Sequence, residues 1–142
     1  GYLLSGQDFL WPGLGINPDD SLPAKFLARN TAETAVPFGL DLDHEFVGRD
    51  SVISSIESNI RWHGLRCLDR GPAPRLGHEV KLSDNDESEI LGYVTSGCPS
   101  PSLNRAGIAM AYLENVEVGS EVWIQASPRR RVRAEVVSPP FV

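Results

Sequence analysis

The stretch "RVRAEVV" (131–137) sets the small apolar residues Val132, Ala134 and Val136 alternately with the charged Arg131, Arg133 and Glu135. A period of two places three dry side chains on one face of an extended chain and three wet ones on the other. Val122, Ile124 and Ala126 repeat the pattern one turn earlier. Reading back along the chain, strands are expected at about 63–68, 78–82, 89–95, 107–113, 120–126 and 131–137. Gly, Pro and Asp/Asn turns separate them, and "SDNDESE" (83–89) falls where a hairpin tip belongs. Six short strands at this spacing predict a small barrel or sandwich. An apolar content of 41% is enough to fill its core.

Upstream the texture differs. Pro12, Gly13, Gly15, Pro18, Pro23 and Pro37 break residues 1–46 into irregular segments. One short helix fits 22–29, with Asp20 or Ser21 as its cap and Pro23 in its first turn. In "GRDSVISSIESNIRW", Val52, Ile53, Ile56 and Ile60 share one helical face, with Asp50 or Ser51 as the cap. That pattern predicts a connecting or lid helix packed by one face. The expected class is therefore mainly β, a six-stranded barrel preceded by one helix and an irregular segment.

Several kinds of function lack support. The net charge of −6 argues weakly against nucleic acid and anionic membranes, which reward clustered positive charge. No apolar run approaches the roughly 20 residues of a membrane-spanning helix. "GYLLSGQDFLWPG" has no basic region ahead of its apolar run, so it does not read as a secretory signal, and the missing initiator Met reads as a processed piece. Cys67 and Cys98 match no zinc or redox spacing and are expected as free thiols. His44, His63 and His78 share no ligand spacing, so no metal is expected. "DNDESE" lacks the glycine of a calcium loop, and "GLG" at 13–15 lacks the strand and helix of a phosphate cradle. The arginines of "PRRRVRAE" read as a solvated face or local ion pairs. Ser96 and Ser100 lack a nucleophile-elbow context.

The stretch "GYVTSGCPSPSLNRAGIAMAYL" (92–113) is more specific. Thr95, Ser96, Gly97, Ser100, Pro101 and Leu103, followed by Ile108, Ala109, Ala111 and Tyr112, resemble the T-S-G-x-x-S-P-x-L loop and I-A-x-A-Y strand of the glycine-cleavage T-protein family, the folate-dependent aminomethyltransferases. Further similarities run in the same order. "GYLLSGQDF" supplies Gly6 and Asp8, "FGLDLDHEFVGRDSV" supplies Gly39, Leu40, Phe46, Gly48 and Arg49, and "HGLRCL…PAPRLGHEVKL" supplies Gly64, Leu65, Arg75 and Gly77. The resemblance spans essentially the whole chain but only the last part of such a protein.

It implies that residues 1–48 are the tail of a folate-binding domain, 49–61 a connecting helix and 62–142 the C-terminal barrel. The family transfers a one-carbon unit from an aminomethyl group on a lipoyl arm to tetrahydrofolate, releasing ammonia. Its catalytic acid and most folate contacts are expected upstream of Gly1, so no catalytic residue is assigned in this chain. Ser5, Asp8 and Trp11 are the expected folate-side positions, Trp11 standing in for an aromatic that the family often carries where Ser5 lies. Arg75, Ser96 and Ser100 are expected at a substrate or interdomain surface. Pro99 and Pro101 would stiffen a long loop at 96–106 for docking on the folate-binding body. The implied partners are the missing N-terminal region and a lipoyl carrier protein, with neither nucleic acid nor membrane, in the cytoplasm or, in a eukaryote, the mitochondrion. Pro37 and Leu42 replace a Glu and a Trp usual in the family, and an insertion surrounds "WPGLGINPDDSLPAKF". These departures leave a second reading open, a non-catalytic relative that serves as a folate-binding, structural or docking module.

Overall fold

Burial follows the alternation. The computed structural model describes residues 31–34 and 40–141, and within them six strands form: β1 Ile60–Cys67, β2 Glu79–Lys81, β3 Ile90–Ser100, β4 Ala106–Glu114, β5 Glu121–Ser127 and β6 Arg130–Val137. Along β6, Val132, Ala134 and Val136 are buried while Arg131, Arg133 and Glu135 are partly exposed. β5 does the same with Val122, Ile124 and Ala126. The six strands close into an antiparallel barrel in the order β1-β4-β3-β2-β5-β6, with β6 returning to β1. Among the described residues, closure pairs every strand on both sides, with only the end of β3 running on past β2. The expected fold class is the observed one, and each expected strand is present within a few residues of its bounds.

The interior holds Leu65, Val80, Val94, Ala111, Leu113, Ile124, Ala134 and Val136, all at 0% exposure. Burying each Leu, Ile or Val stabilises the fold by about 1.5–3 kcal/mol before entropy is counted. Register slips at Val80/Lys81, Val94/Ser96 and Gln125/Ser127 are bulges that bend the strands around so small a barrel. Where β3 and β4 cross, a Cβ on Gly92 would lie 1.8 Å from the Tyr112 carbonyl oxygen, so only glycine fits.

A second apolar cluster lies on the outer wall. Ile60, Trp62, Met110 and Tyr112 come from β1 and β4 positions that alternate with the interior ones, and Tyr93 and Phe141 pack against them. Segment 31–34 runs beside this wall: the Trp62 N–H donates to the Glu33 carbonyl at 3.0 Å, and the Ser58 hydroxyl to the Glu33 carboxylate at 3.2 Å.

Two expectations are corrected here. The connection at 96–106 is not a long loop. β3 continues through it to Ser100, pairing Ser96 with Met110, Cys98 with Ile108 and Ser100 with Ala106, so the turn is only residues 101–105. Pro99 sits opposite Gly107, in the part of β3 that has outrun its other neighbour β2, where one missing donor is tolerated. The helix is also shorter than its apolar pattern suggested. α1 covers Arg49–Ile56, starts at Gly48 with φ 90° and no side-chain cap, and buries no residue. Ile53 and Ile56 are exposed, while Ile60 has been taken into β1 opposite Glu114. Arg61 closes the helix end by donating to the carbonyls of Ile56, Ser58 and Ile60. The expected helix at 22–29 lies outside the described residues.

Candidate functional site

The segment 74–78 is strapped along β3 beyond the reach of β2. The Gly77 N–H donates to the Val94 carbonyl and the Val94 N–H to the His78 carbonyl, both at 2.9 Å. Farther on, the Arg75 guanidinium donates to the Gly97 carbonyl at 2.6 Å. Gly97 is obligatory at that contact, because a Cβ there would stand 2.6 Å from the Pro74 carbonyl oxygen. The strap closes on itself through the Arg75 N–H, which donates to His78 Nδ1 at 3.2 Å. Burial, and then the charge of Arg75, push the His78 imidazole below its ordinary pKa, which keeps Nδ1 an acceptor.

Arg75 and Ser96 thus share one neighbourhood, joined through Gly97. Ser96 lines a small cleft of about 270 Å³ with Cys98, Ile108, Met110 and Phe141. Beside it the buried Thr95 hydroxyl donates to the Met110 carbonyl at 3.3 Å, pinning the bulge. Ser100 is not brought to this group. It lies four residues along the strand, roughly 13 Å by the rise of extended chain. Its backbone carbonyl accepts from the Arg105 N–H at 2.8 Å, and its hydroxyl lies 3.1 Å from that of Ser102, so it closes the turn. Neither Ser96 nor Ser100 is hydrogen-bonded to an imidazole among the described residues. Ser5, Asp8 and Trp11 lie outside the described residues.

The charged motifs resolve into pairs. Arg131 donates to Asp84 at 2.6 Å and to Asp86 at 2.5 Å, so the acidic turn is held by an arginine from β6. Those bonds hold the Asp86 carboxyl below its ordinary range. Arg133 lies 3.5 Å from Glu121 and 3.6 Å from Asp69, and Arg66 lies 2.7 Å from Glu135. Of the arginine run, Arg131 and Arg133 therefore make local ion pairs, while Arg130 donates to a backbone carbonyl. No group of His, Cys, Asp and Glu among the described residues is arranged to hold a metal ion. No helix among them is long and apolar enough to cross a membrane.

Sequence reasoning passed over one buried group. His63 has a buried Nε2 without a hydrogen-bond partner among the described residues, and burial, then the charge of Arg61, lowers its pKa. Only its odd position in the alternation of β1, with Leu65 and Cys67, signals that it faces inward.

A closed antiparallel barrel with a strap along β3 and an apolar outer wall defines a small all-β domain. Residues 61–142 match the family described as the glycine cleavage T-protein C-terminal barrel domain. The chain belongs to the glycine cleavage T-protein family and carries that barrel. It is 34% identical over 113 residues to an aminomethyltransferase of Halalkalibacterium halodurans, covering 77% of this chain and 29% of that protein. A probable aminomethyltransferase of Haloarcula marismortui is 32% identical over 142 residues, covering 99% of this chain and 32% of its relative. Among solved structures, the glycine cleavage system aminomethyltransferase T from Bartonella henselae superposes with a TM-score of 0.68 at 25% identity, over 100% of this chain and 36% of that one. The chain spans about a third of the length of these relatives.

Proposed function

We propose that this chain is the C-terminal part of a tetrahydrofolate-dependent aminomethyltransferase, which moves a one-carbon unit from an aminomethyl group on a lipoyl carrier to tetrahydrofolate and releases ammonia. The observation that carries this reading is the similarity to a probable aminomethyltransferase along 99% of the chain at 32% identity. In this reading residues 1–48 complete the folate-binding domain, 49–61 connect it to the barrel, and 62–142 form the barrel. Ser5, Asp8 and Trp11 belong to the folate side, and the catalytic acid lies in the two-thirds of the protein that precedes this part in its relatives.

The barrel's contribution is positional. The bond between Arg75 and the Gly97 carbonyl locks the strap to β3, which presents Ser96 and the turn at Ser100 as one rigid edge. A rigid edge docks without the entropy cost of ordering a free loop, and small errors in placing reacting groups cost large factors in rate. Arg75 keeps further N–H donors of its fork for a carboxylate or a backbone carbonyl across the interface.

The test is native mass spectrometry of the protein from its own source, with and without a reduced folate. It is joined to an assay of ammonia release from an aminomethyl-loaded lipoyl carrier. Uptake of one folate mass with folate-dependent ammonia release is expected, by a longer polypeptide or by this chain with a second one. A protein that takes up no folate in either form overturns the reading and leaves a docking module.

A further inference from the structure

At the end of the barrel where β1 finishes and β4 begins, the loop after β1 and the turn before β4 flank an open cavity of about 460 Å³. Arg70 reaches it from the first segment and Arg105 from the second, 35 positions apart in sequence. Every described arginine except Arg70, Arg105 and Arg129 donates to, or pairs with, a carboxylate or carbonyl. Two of these three arginines, both exposed and with side chains unpartnered, therefore border one hollow in a chain whose net charge is −6. Among the described residues Asp69 is the single carboxylate on the lining, and Arg133 already faces it at 3.6 Å. Cys67 adds no negative charge, because burial, then Asp69, push its thiol up to about 11.

The walls hold both arginine-bearing segments in place. The Arg130 guanidinium donates to the Arg70 carbonyl at 2.7 Å, and Gly71 packs so close to Val132 that a Cβ there would meet its methyl at 2.6 Å. On the opposite side Asn104 and Arg105 both adopt positive φ, 52° and 61°. That conformation is uncommon for arginine, and the Arg105 N–H bond to the Ser100 carbonyl maintains it. Pro72, Leu103 and Val132 supply apolar lining between the charges. The volume falls within the range of small-molecule sites, about 300–1,000 Å³.

We propose that this cavity is a binding site for a small organic oxyanion, a carboxylate or phosphate ester with a compact apolar body, held between the guanidinium forks of Arg70 and Arg105. Guanidinium forks match both head groups, and the apolar lining requires more than a bare ion.

The test is an amide chemical-shift titration of the 142-residue chain with phenyl phosphate, 3-phenylpropionate, inorganic phosphate and neutral benzyl alcohol. Shifts are expected at 68–72 and 103–107 for the two aromatic anions, with little effect from benzyl alcohol. Which anion binds more tightly identifies the head group. The double variant Arg70→Gln/Arg105→Gln is expected to weaken binding by about tenfold or more, since charge-assisted bonds are among the stronger ones. Arg129→Gln, which alters the third unpartnered arginine outside the lining, should leave binding unchanged. Three results would overturn the proposal: no shifts at those residues at millimolar concentrations, equal binding by the double variant, or equal affinity for inorganic phosphate and the aromatic anions.

Discussion

His63 shows how one inward-facing side chain couples the barrel to pH. Its imidazole is lowered below the ordinary value by burial and by Arg61, and its Nε2 has no partner among the described residues to accept from or donate to. A base whose folded pKa lies below its unfolded value, about 6.5, binds protons more readily when unfolded. Its neutral form therefore supports the fold fully above about pH 6.5, and that support is lost as the pH falls toward the lowered value. His78 adds a contribution of the same sign. Thermal melts should be level above neutrality and decline as the pH falls below about 6.5, and His63→Leu should flatten that decline. A wild-type melt unchanged over this window would remove His63 as its cause. At the same scale, Leu65→Ala empties a site at 0% exposure and should cost about 2–5 kcal/mol in denaturant unfolding.

At the scale of elements, β3 and its strap behave as one unit. Replacing Arg75 by Ala removes the guanidinium bond to Gly97 and should cost about 0.5–1.5 kcal/mol, with faster hydrogen exchange confined to 75–78 and 95–98. Gly97→Ala forces the strand away from Pro74 and should disturb the same amides more strongly. The acidic turn before β3 answers to a different element. Arg131→Ala frees Asp84 and Asp86, so proteolytic nicking at 83–89 should rise while the melting temperature scarcely moves. α1 teaches the opposite lesson, for its apolar residues are spaced for a buried face, yet it buries none of them. Ile60 joined β1 because a strand position opposite Glu114 continues a ladder, whereas another turn of exposed helix adds little.

For the whole molecule, closure is what separates the two cysteines. Cys67 is buried in the core cluster and Cys98 is exposed on β3. A thiol-reactive dye at pH 8 should therefore label the native chain at Cys98 alone, and at both positions in denaturant. Rapid native labelling of Cys67 would mean that the dye reaches it through the hollow it lines or that the barrel opens at the β1 end. Its pKa of about 11 slows reaction further, since the thiolate is the reacting species.

Local pattern carried the strands, the fold class and the family. Val132, Ala134 and Val136 alternate because one side of β6 is dry, and a period of two is visible within seven residues. The T-S-G-x-x-S-P-x-L stretch is equally contiguous, so the resemblance it supports needed no structure. The order β1-β4-β3-β2-β5-β6 was not legible, nor was the continuation of β3 through Pro99 to Ser100. Strand pairing joins residues far apart in sequence, and no local signal marks which edge meets which. The bond from Arg75 to Gly97 and the meeting of Arg70 with Arg105 depend on the same non-local closure. Side-chain alternation by itself decided what is buried in this protein; only the closed barrel decided what is brought together.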